Sequence, residues 1–335
     1  MLTSPAPFTW RDGERLIVFG RGAVGEAVER IGAGYTLLST ARAIARVPEL
    51  AAAAGAVHEV GPGRVDELAG ALRAEVTGGR LVAFGGGRVI DVAKALAAAD
   101  PPRRVAAIPT TLSGGEMTLV HRHATGVPLD TPRARPDIVI NDPVLSASQP
   151  AAQLAESAAN ALGHAAEGPL TPLRNPASRL TALESVRLLA AAYAPDVDVD
   201  SDAARDTLAL AALLAGYVIG SSWYGMHHVL SQTVARFTPV GHGAANAIML
   251  PWSLRALRQR FPNELAAFDA ACGDDVVAFS ERLREATACG RLRDGGVTAE
   301  QLDVCVSEAS SRPELNMTPP PADADELRDL YAAAF

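Results

Sequence analysis

Phe84-Gly85-Gly86-Gly87-Arg88-Val89-Ile90-Asp91 decides how the first half of this chain is read. Just before it, residues 80–84 form a short apolar run that predicts a buried strand. Just after it, apolar residues recur three and four positions apart over 90–98 and predict a helix. Three glycines between the two let backbone approach a ligand closely. The helix start adds unpaired N–H groups and a favourable dipole for a pyrophosphate. A tight strand-to-helix turn would use the same residues with no ligand, so the surroundings have to decide.

Outward from that loop, short apolar runs at 15–19, 35–38, 56–60, 105–108 and 138–140 alternate with helical patterns such as 24–31 and 64–75. This alternation predicts a parallel sheet covered by helices on both faces. The run at 105–108 is followed by Pro109-Thr110-Thr111-Leu112-Ser113-Gly114-Gly115-Glu116-Met117-Thr118, a second cluster of hydroxyls and glycines at a strand end. In open α/β sheets ligands sit at the carboxyl ends of strands, so the two loops together point to a dinucleotide site.

A turn-like segment at 141–150 closes this half, and Ala/Leu-rich helical stretches follow at 150–168, 175–193, 202–221, 225–237, 243–259 and 264–271. The fold class expected is therefore an α/β N-terminal dinucleotide-binding domain, 1–148, plus an all-α C-terminal domain, 149–335. On the first of these helices Asn160 and His164 lie four apart and share a face. His228 and Gln232 repeat that spacing, and His242 opens a further helix. Convergence of these elements would make a polar centre. His227 is a weaker candidate, because adjacent helical residues point apart. His121, His123, Arg133 and Arg135 read as solvated loop residues, and Glu116 as a residue that stabilises its loop.

Composition narrows the function. A net charge of −8 with no run of Lys or Arg gives no footprint for nucleic acid or an anionic membrane, which leaves a small molecule as the expected partner. Three cysteines without CxxC spacing suggest neither disulfides nor a zinc knuckle. The longest apolar stretch, 208–220, is short for a bilayer span and reads as a buried helix. With no signal-like start, the expected location is the cytoplasm.

The motif GGGRVIDVAKALA is similar to the GGGSxxDxAKA motif of iron-containing alcohol dehydrogenases, and IPTTLSGGEMT resembles the PTTxxGSExT motif that follows it there. The opening FTWRDGERLIVFGRGAVGEAVERIG resembles that of maleylacetate reductases, as do MHHVLSQ and VGHGAANAIMLP. The resemblance runs over nearly the whole chain and implies a dehydroquinate synthase-like fold and, commonly, a homodimer. It also implies that Gly85, Gly86, Gly87 and Asp91 surround the pyrophosphate, with Thr110, Thr111 and Ser113 near the ribose and nicotinamide. Ser39 and Thr40, after the second strand, stand where an acidic residue would select NADH. With no carboxylate there and Arg42 nearby, NADPH is admissible beside NADH.

The same resemblance places His164, His228 and His242 at metal-ligand positions, with Asn160 where the family has an anionic Asp. Three imidazoles can still hold zinc or iron with a water, but the Asn form resembles maleylacetate reductases, which generally work without metal. Metal-free catalysis by His164, His228, His242 and Asn160 is therefore the expectation. Gln232 replaces a family histidine thought to relay a proton, a task an amide cannot perform. Arg88 and Gly115 replace two further family serines. The activity implied is NAD(P)H-dependent reduction of a small carbonyl or enoyl acid, as in maleylacetate reductases. A redox-neutral enzyme on the same fold, as in dehydroquinate synthases, and a nucleotide-binding protein that has lost catalysis are the alternatives.

Overall fold

The structure, a computed structural model, describes residues 2–335. The chain separates into two compact units, Thr3–Ser148 and Gln149–Phe335. The first is α/β and the second is helical throughout, as the alternation and the later helical patterns predict.

The α/β unit contains β1 (Phe8–Asp12), β2 (Arg15–Phe19), α1 (Ala27–Ile31), β3 (Thr36–Ser39), α2 (Ala41–Ile44), α3 (Pro48–Ala52), β4 (Ala56–Glu59), α4 (Val65–Leu72), β5 (Arg80–Gly85), α5 (Gly87–Ala99), β6 (Arg104–Pro109), β7 (Ile138–Asn141) and α6 (Pro143–Ser146). They form one seven-stranded sheet in the order β1-β2-β7-β6-β5-β3-β4, in which only the β1–β2 pair is antiparallel. β1 lies outside the sequence expectations. Its signal is the Asp12-Gly13 dipeptide: Gly13 has φ +58° and lets the chain turn back within two residues. α6 also corrects the turn-like reading of 141–150, with Asp142 capping it through Val144 N–H at 3.1 Å.

Apolar runs continue through the central strands because both sheet faces are covered. Alternate residues divide between two cores. Leu38, Leu81, Ala83, Val105 and Ala107 pack on one face, Leu37, Val82, Phe84, Ala106 and Ile108 on the other. The winding reverses between β3 and β5: the chain moves from β3 out to β4, then from β5 through β6 to β7 in the opposite direction. Ser39 and Gly85, which end these two strands, therefore stand at the crevice where such sheets take ligands.

The helical unit comprises α7 (Ala151–Glu167), α8 (Pro176–Ala192), α9 (Asp202–Ser222), α10 (Met226–Phe237), α11 (His242–Arg260), α12 (Pro262–Cys272), α13 (Val276–Glu285), α14 (Ala299–Ser310) and α15 (Ala324–Ala334). α9 is long and apolar enough to cross a membrane by length and composition, yet 72% of its most apolar window is buried inside the protein. It is the core helix, with Leu208, Leu213, Val218 and Ile219 inside. Pro176 at a helix start and Asn175 in a capping box with Ser178 fix where α8 begins. The three cysteines are unpaired.

Candidate functional site

The glycine loop is built for close packing. Gly86 caps α5 with no side-chain cap, so no side chain covers the start of this thirteen-residue helix, where an anion is favoured. A Cβ on Gly85 would lie 2.6 Å from Val89 Cγ2, on Gly86 3.1 Å from Thr111 Cγ2, and on Gly87 3.0 Å from Ser113 Cβ. The two loops singled out in the sequence thus lie against each other, joined also by Thr110 N–H donating to Gly85 O at 3.0 Å. Gly86, Gly87, Thr110, Thr111 and Ser113 remain partly exposed along this seam.

Ser39 and Thr40 have structural work here. Ser39 Oγ donates to Phe84 O at 2.7 Å, tying β3 to β5 across the crevice. Thr40 Oγ1 accepts from Ala43 N–H and caps α2, on which Arg42 is exposed. Asp91 pairs with Lys94 at 2.8 Å. Lys94 is fully buried, and its Nζ donates to Gly115 O at 2.9 Å, Val120 O at 2.7 Å, and Thr118 O and Oγ1. Residues 115–120 are thereby clasped to α5.

Below that clasp lies a buried polar group that the sequence reading misplaces. His121 and His123 are buried, not solvated. His121 donates from Nδ1 to Arg122 O at 2.9 Å and accepts at Nε2 from Ala134 N–H at 3.1 Å, which fixes its neutral tautomer. Burial, helped by Lys94, pushes its pKa down to about 3. Arg133 donates to His121 O, so it holds the loop and is not merely solvated, whereas Arg135 is exposed. Glu116 is buried beside Asn141, whose amide reaches Oε1 at 3.3 Å, and burial raises its carboxyl to about 7. The loop-stabilising reading of Glu116 accords with this position.

In the helical unit, α7, α10 and α11 supply the histidines. His164 and His228 stack with centroids 4.6 Å apart and planes 21° apart, and His227 meets His228 edge-on at 4.9 Å. Adjacency on a helix therefore does not keep His227 away. Its ring folds back against Gly163, where a Cβ would come within 2.6 Å of Cδ2 and Nε2, and Nδ1 lies 3.2 Å from Ser253 Oγ. His242 is exposed at the start of α11, and Asn160 is buried one turn before His164. Burial lowers His164 far below the ordinary range, reinforced by His228 and His242, and lowers His227 and His228 to about 3. A protonated member, one way the sequence suggested of meeting an anionic substrate, is thus disfavoured at these three positions.

Two neighbours escaped the sequence reading. Glu167, three residues after His164 on α7, reaches α10: Oε1 accepts from His227 N–H at 2.5 Å, and Oε2 lies 3.2 Å from His228 N and 2.6 Å from His228 Nδ1. Trp223 links α9 to α10 at φ +63°, ψ −174°, a strained conformation for any side chain, costing about 1–3 kcal/mol. It positions Tyr224, whose ring centroid is 5.8 Å from that of His228 and whose hydroxyl donates to Glu314 at 3.1 Å. Gln232 does not stand alone either. Its Oε1 accepts from Arg312 at 3.1 Å, and the same guanidinium contacts Tyr224 and Glu314.

These residues do not fit a metal ion well. A ligating imidazole places the metal in its own plane, and two nearly parallel, stacked rings offer no common point for one. Asn160 is neutral, and among the described residues no three His, Cys, Asp or Glu side chains converge to hold an ion.

Residues 154–335 match the C-terminal pattern of the Fe-containing alcohol dehydrogenase family. Maleylacetate reductase of Rhizobium sp. (strain MTP-10005) is 30% identical over 98% of this chain and 98% of its own length. Maleylacetate reductase 2 of Cupriavidus pinatubonensis is 34% identical over 84% of this chain and 78% of its own. The crystal structure of maleylacetate reductase from Agrobacterium tumefaciens superimposes with a TM-score of 0.82 at 28% identity, covering 99% of each chain. With its doubly wound sheet, glycine loop and ordered histidines, the chain belongs to the iron-containing alcohol dehydrogenase family and is an oxidoreductase.

Proposed function

We propose that this oxidoreductase is an NAD(P)H-dependent reductase of a small carbonyl or enoyl acid, with maleylacetate the first substrate to try, and that it works without a metal ion. The observation that carries the reading is the buried histidine group on α7 and α10, stacked in a way that suits hydrogen bonding better than metal ligation.

The nicotinamide cofactor, when bound, supplies the hydride. Gly86, Gly87 and the start of α5 would hold its pyrophosphate, with Gly85 shaping the turn and Asp91 orienting Lys94 and the second loop. Thr110, Thr111 and Ser113 offer hydroxyls along the same seam, and Ser39 and Thr40 lie where the adenosine ribose would rest. No carboxylate follows β3 to repel a 2′-phosphate, and exposed Arg42 favours one, which supports use of NADPH beside NADH.

As hydride arrives, negative charge grows on the substrate oxygen. Preorganised N–H donors in a water-poor site stabilise it strongly. His164, His242 and the Asn160 amide are the candidate donors, with His228 orienting beside them. Gln232 cannot deliver the final proton, so that proton comes from an imidazole N–H or from water.

Loss of absorbance at the reduced-nicotinamide band, with maleylacetate and a panel of aldehydes and keto acids, tests this in protein dialysed against chelator. Turnover that survives chelation is expected. Tight cofactor binding with no turnover would sink the reductase reading, and activity restored only by zinc or iron would sink its metal-free part. Because Arg312 holds Gln232 at the relay position, product formed with no net change in the cofactor is the outcome that would favour a redox-neutral enzyme.

A further inference from the structure

Glu167 is a fully buried acid to which the chemistry above gives no task. It ends α7 one turn after His164, and its carboxyl group covers the start of α10, which has no side-chain cap of its own. Thr318 Oγ1 accepts from Met226 N–H at 3.0 Å, and Glu167 accepts from the next two, His227 and His228. An anion is favoured at such a helix start. Burial pushes the Glu167 carboxyl up, while the two backbone N–H groups and the helix start oppose this and favour the carboxylate, which has acceptor capacity only. The ring nitrogen at 2.6 Å, His228 Nδ1, must then carry the hydrogen.

We propose that Glu167 is a positioning residue for the reaction: it fixes His228 as the Nδ1–H tautomer, so that Nε2 presents a bare lone pair to the substrate. His228 Nε2 is buried and has no hydrogen-bond partner in the protein, as expected of an acceptor reserved for a ligand's O–H or N–H. His227 follows the same logic. Ser253 Oγ spends its hydrogen on Met249 O, so His227 Nδ1 is the donor to that hydroxyl. Donation to the developing oxyanion thus falls to His164, His242 and Asn160, while His228 accepts. The proposal rests on the reading of His228 as part of the catalytic group.

Glu167→Gln reverses the pattern. An amide offers only one oxygen, so in either orientation its NH2 meets an α10 backbone N–H, and at the Oε2 position it also faces His228 Nδ1. Facing Nδ1, it drives the hydrogen to Nε2. Nitrogen-15 NMR of histidine-labelled wild-type protein is expected to show His228 protonated at Nδ1 and bare at Nε2, with the two exchanged in the variant. Removal of such an orienting carboxylate is expected to lower kcat on the order of 100-fold with KM changed by less than about 3-fold. Glu167→Asp, which keeps the charge, should retain the wild-type tautomer and part of the rate. A wild-type His228 protonated at Nε2, or a Glu167→Gln enzyme with undiminished kcat, overturns the proposal. The wild-type spectrum decides the tautomer even if the variant fails to fold. An inactive wild type with the expected tautomer would count against the reductase reading and leave the tautomer assignment standing.

Discussion

Gly163→Ala sets two effects against each other at one atom. In mid-helix, alanine should stabilise α7 by about 1 kcal/mol through propensity alone. Here the added methyl would stand 2.6 Å from His227 Cδ2 and Nε2, about 1 Å inside ordinary contact, and 3.5 Å from His228 Cε1, which is an ordinary contact. His227 cannot swing aside cheaply: it is fully buried, held at Nδ1 by Ser253 and at its backbone by Glu167. Overpacking of this kind costs about 1–3 kcal/mol, so the expected net effect is a loss of about 1 kcal/mol and a fall in Tm of roughly 2–4 °C. The rate should suffer more than the stability, because the displaced His227 ring packs edge-on against His228 and passes the disturbance to the reacting geometry. A fall in kcat of roughly 10- to 100-fold is expected. Thermal unfolding followed by circular dichroism, beside the nicotinamide absorbance assay, reads both. Adding His227→Ala should relieve the strain, giving a favourable coupling term in the double-mutant cycle. A Gly163→Ala protein that is more stable than wild type and fully active would refute the account, because His227 would then not be held against α7.

Gly87→Ala puts a methyl 3.0 Å from Ser113 Cβ and should weaken reduced-cofactor binding by about tenfold, roughly 1.4 kcal/mol, in a fluorescence titration, with little change in Tm. Stability against pH depends on opposed groups in the α/β unit. Buried His121, lowered to about 3, favours folding above its unfolded pKa and loses that contribution as pH falls from about 6.5 toward 3. Glu116, raised to about 7, does the reverse: its contribution is present below the unfolded pKa near 4.5 and is lost as pH rises toward 7. Between pH 4.5 and 6.5 the two slopes oppose, so Glu116→Gln should make urea resistance rise more steeply with pH there. An unchanged slope would mean that Glu116 is ionised throughout.

Six of the seven strands and the long helices are visible in the sequence because period and burial coincide. Residues 81–84 and 105–108 are apolar throughout since both faces of the sheet are covered, and the helical stripes keep their spacing. β1 is different: it is half exposed at a sheet edge, so only the Asp12-Gly13 turn marks it. Asn160, His164 and His228 are legible from helical spacing, since residues four apart share a face whatever the tertiary structure. His227 and Glu167 are not. Their roles depend on where α10 begins relative to the end of α7, a long-range fact with no local periodicity, although Glu167 at three residues from His164 was a usable hint. His121 and His123 look like loop residues because their burial is created by Lys94 and Arg133 from distant positions.

Lys94 has a further consequence. Because one ammonium on α5 gathers carbonyls from Gly115, Thr118 and Val120, the loop after β6 loses its conformational freedom when the domain folds, before any ligand arrives. Little ordering entropy is then left to oppose association, so cofactor binding to this unit should show a modest entropic penalty and an on-rate that is not gated by loop rearrangement.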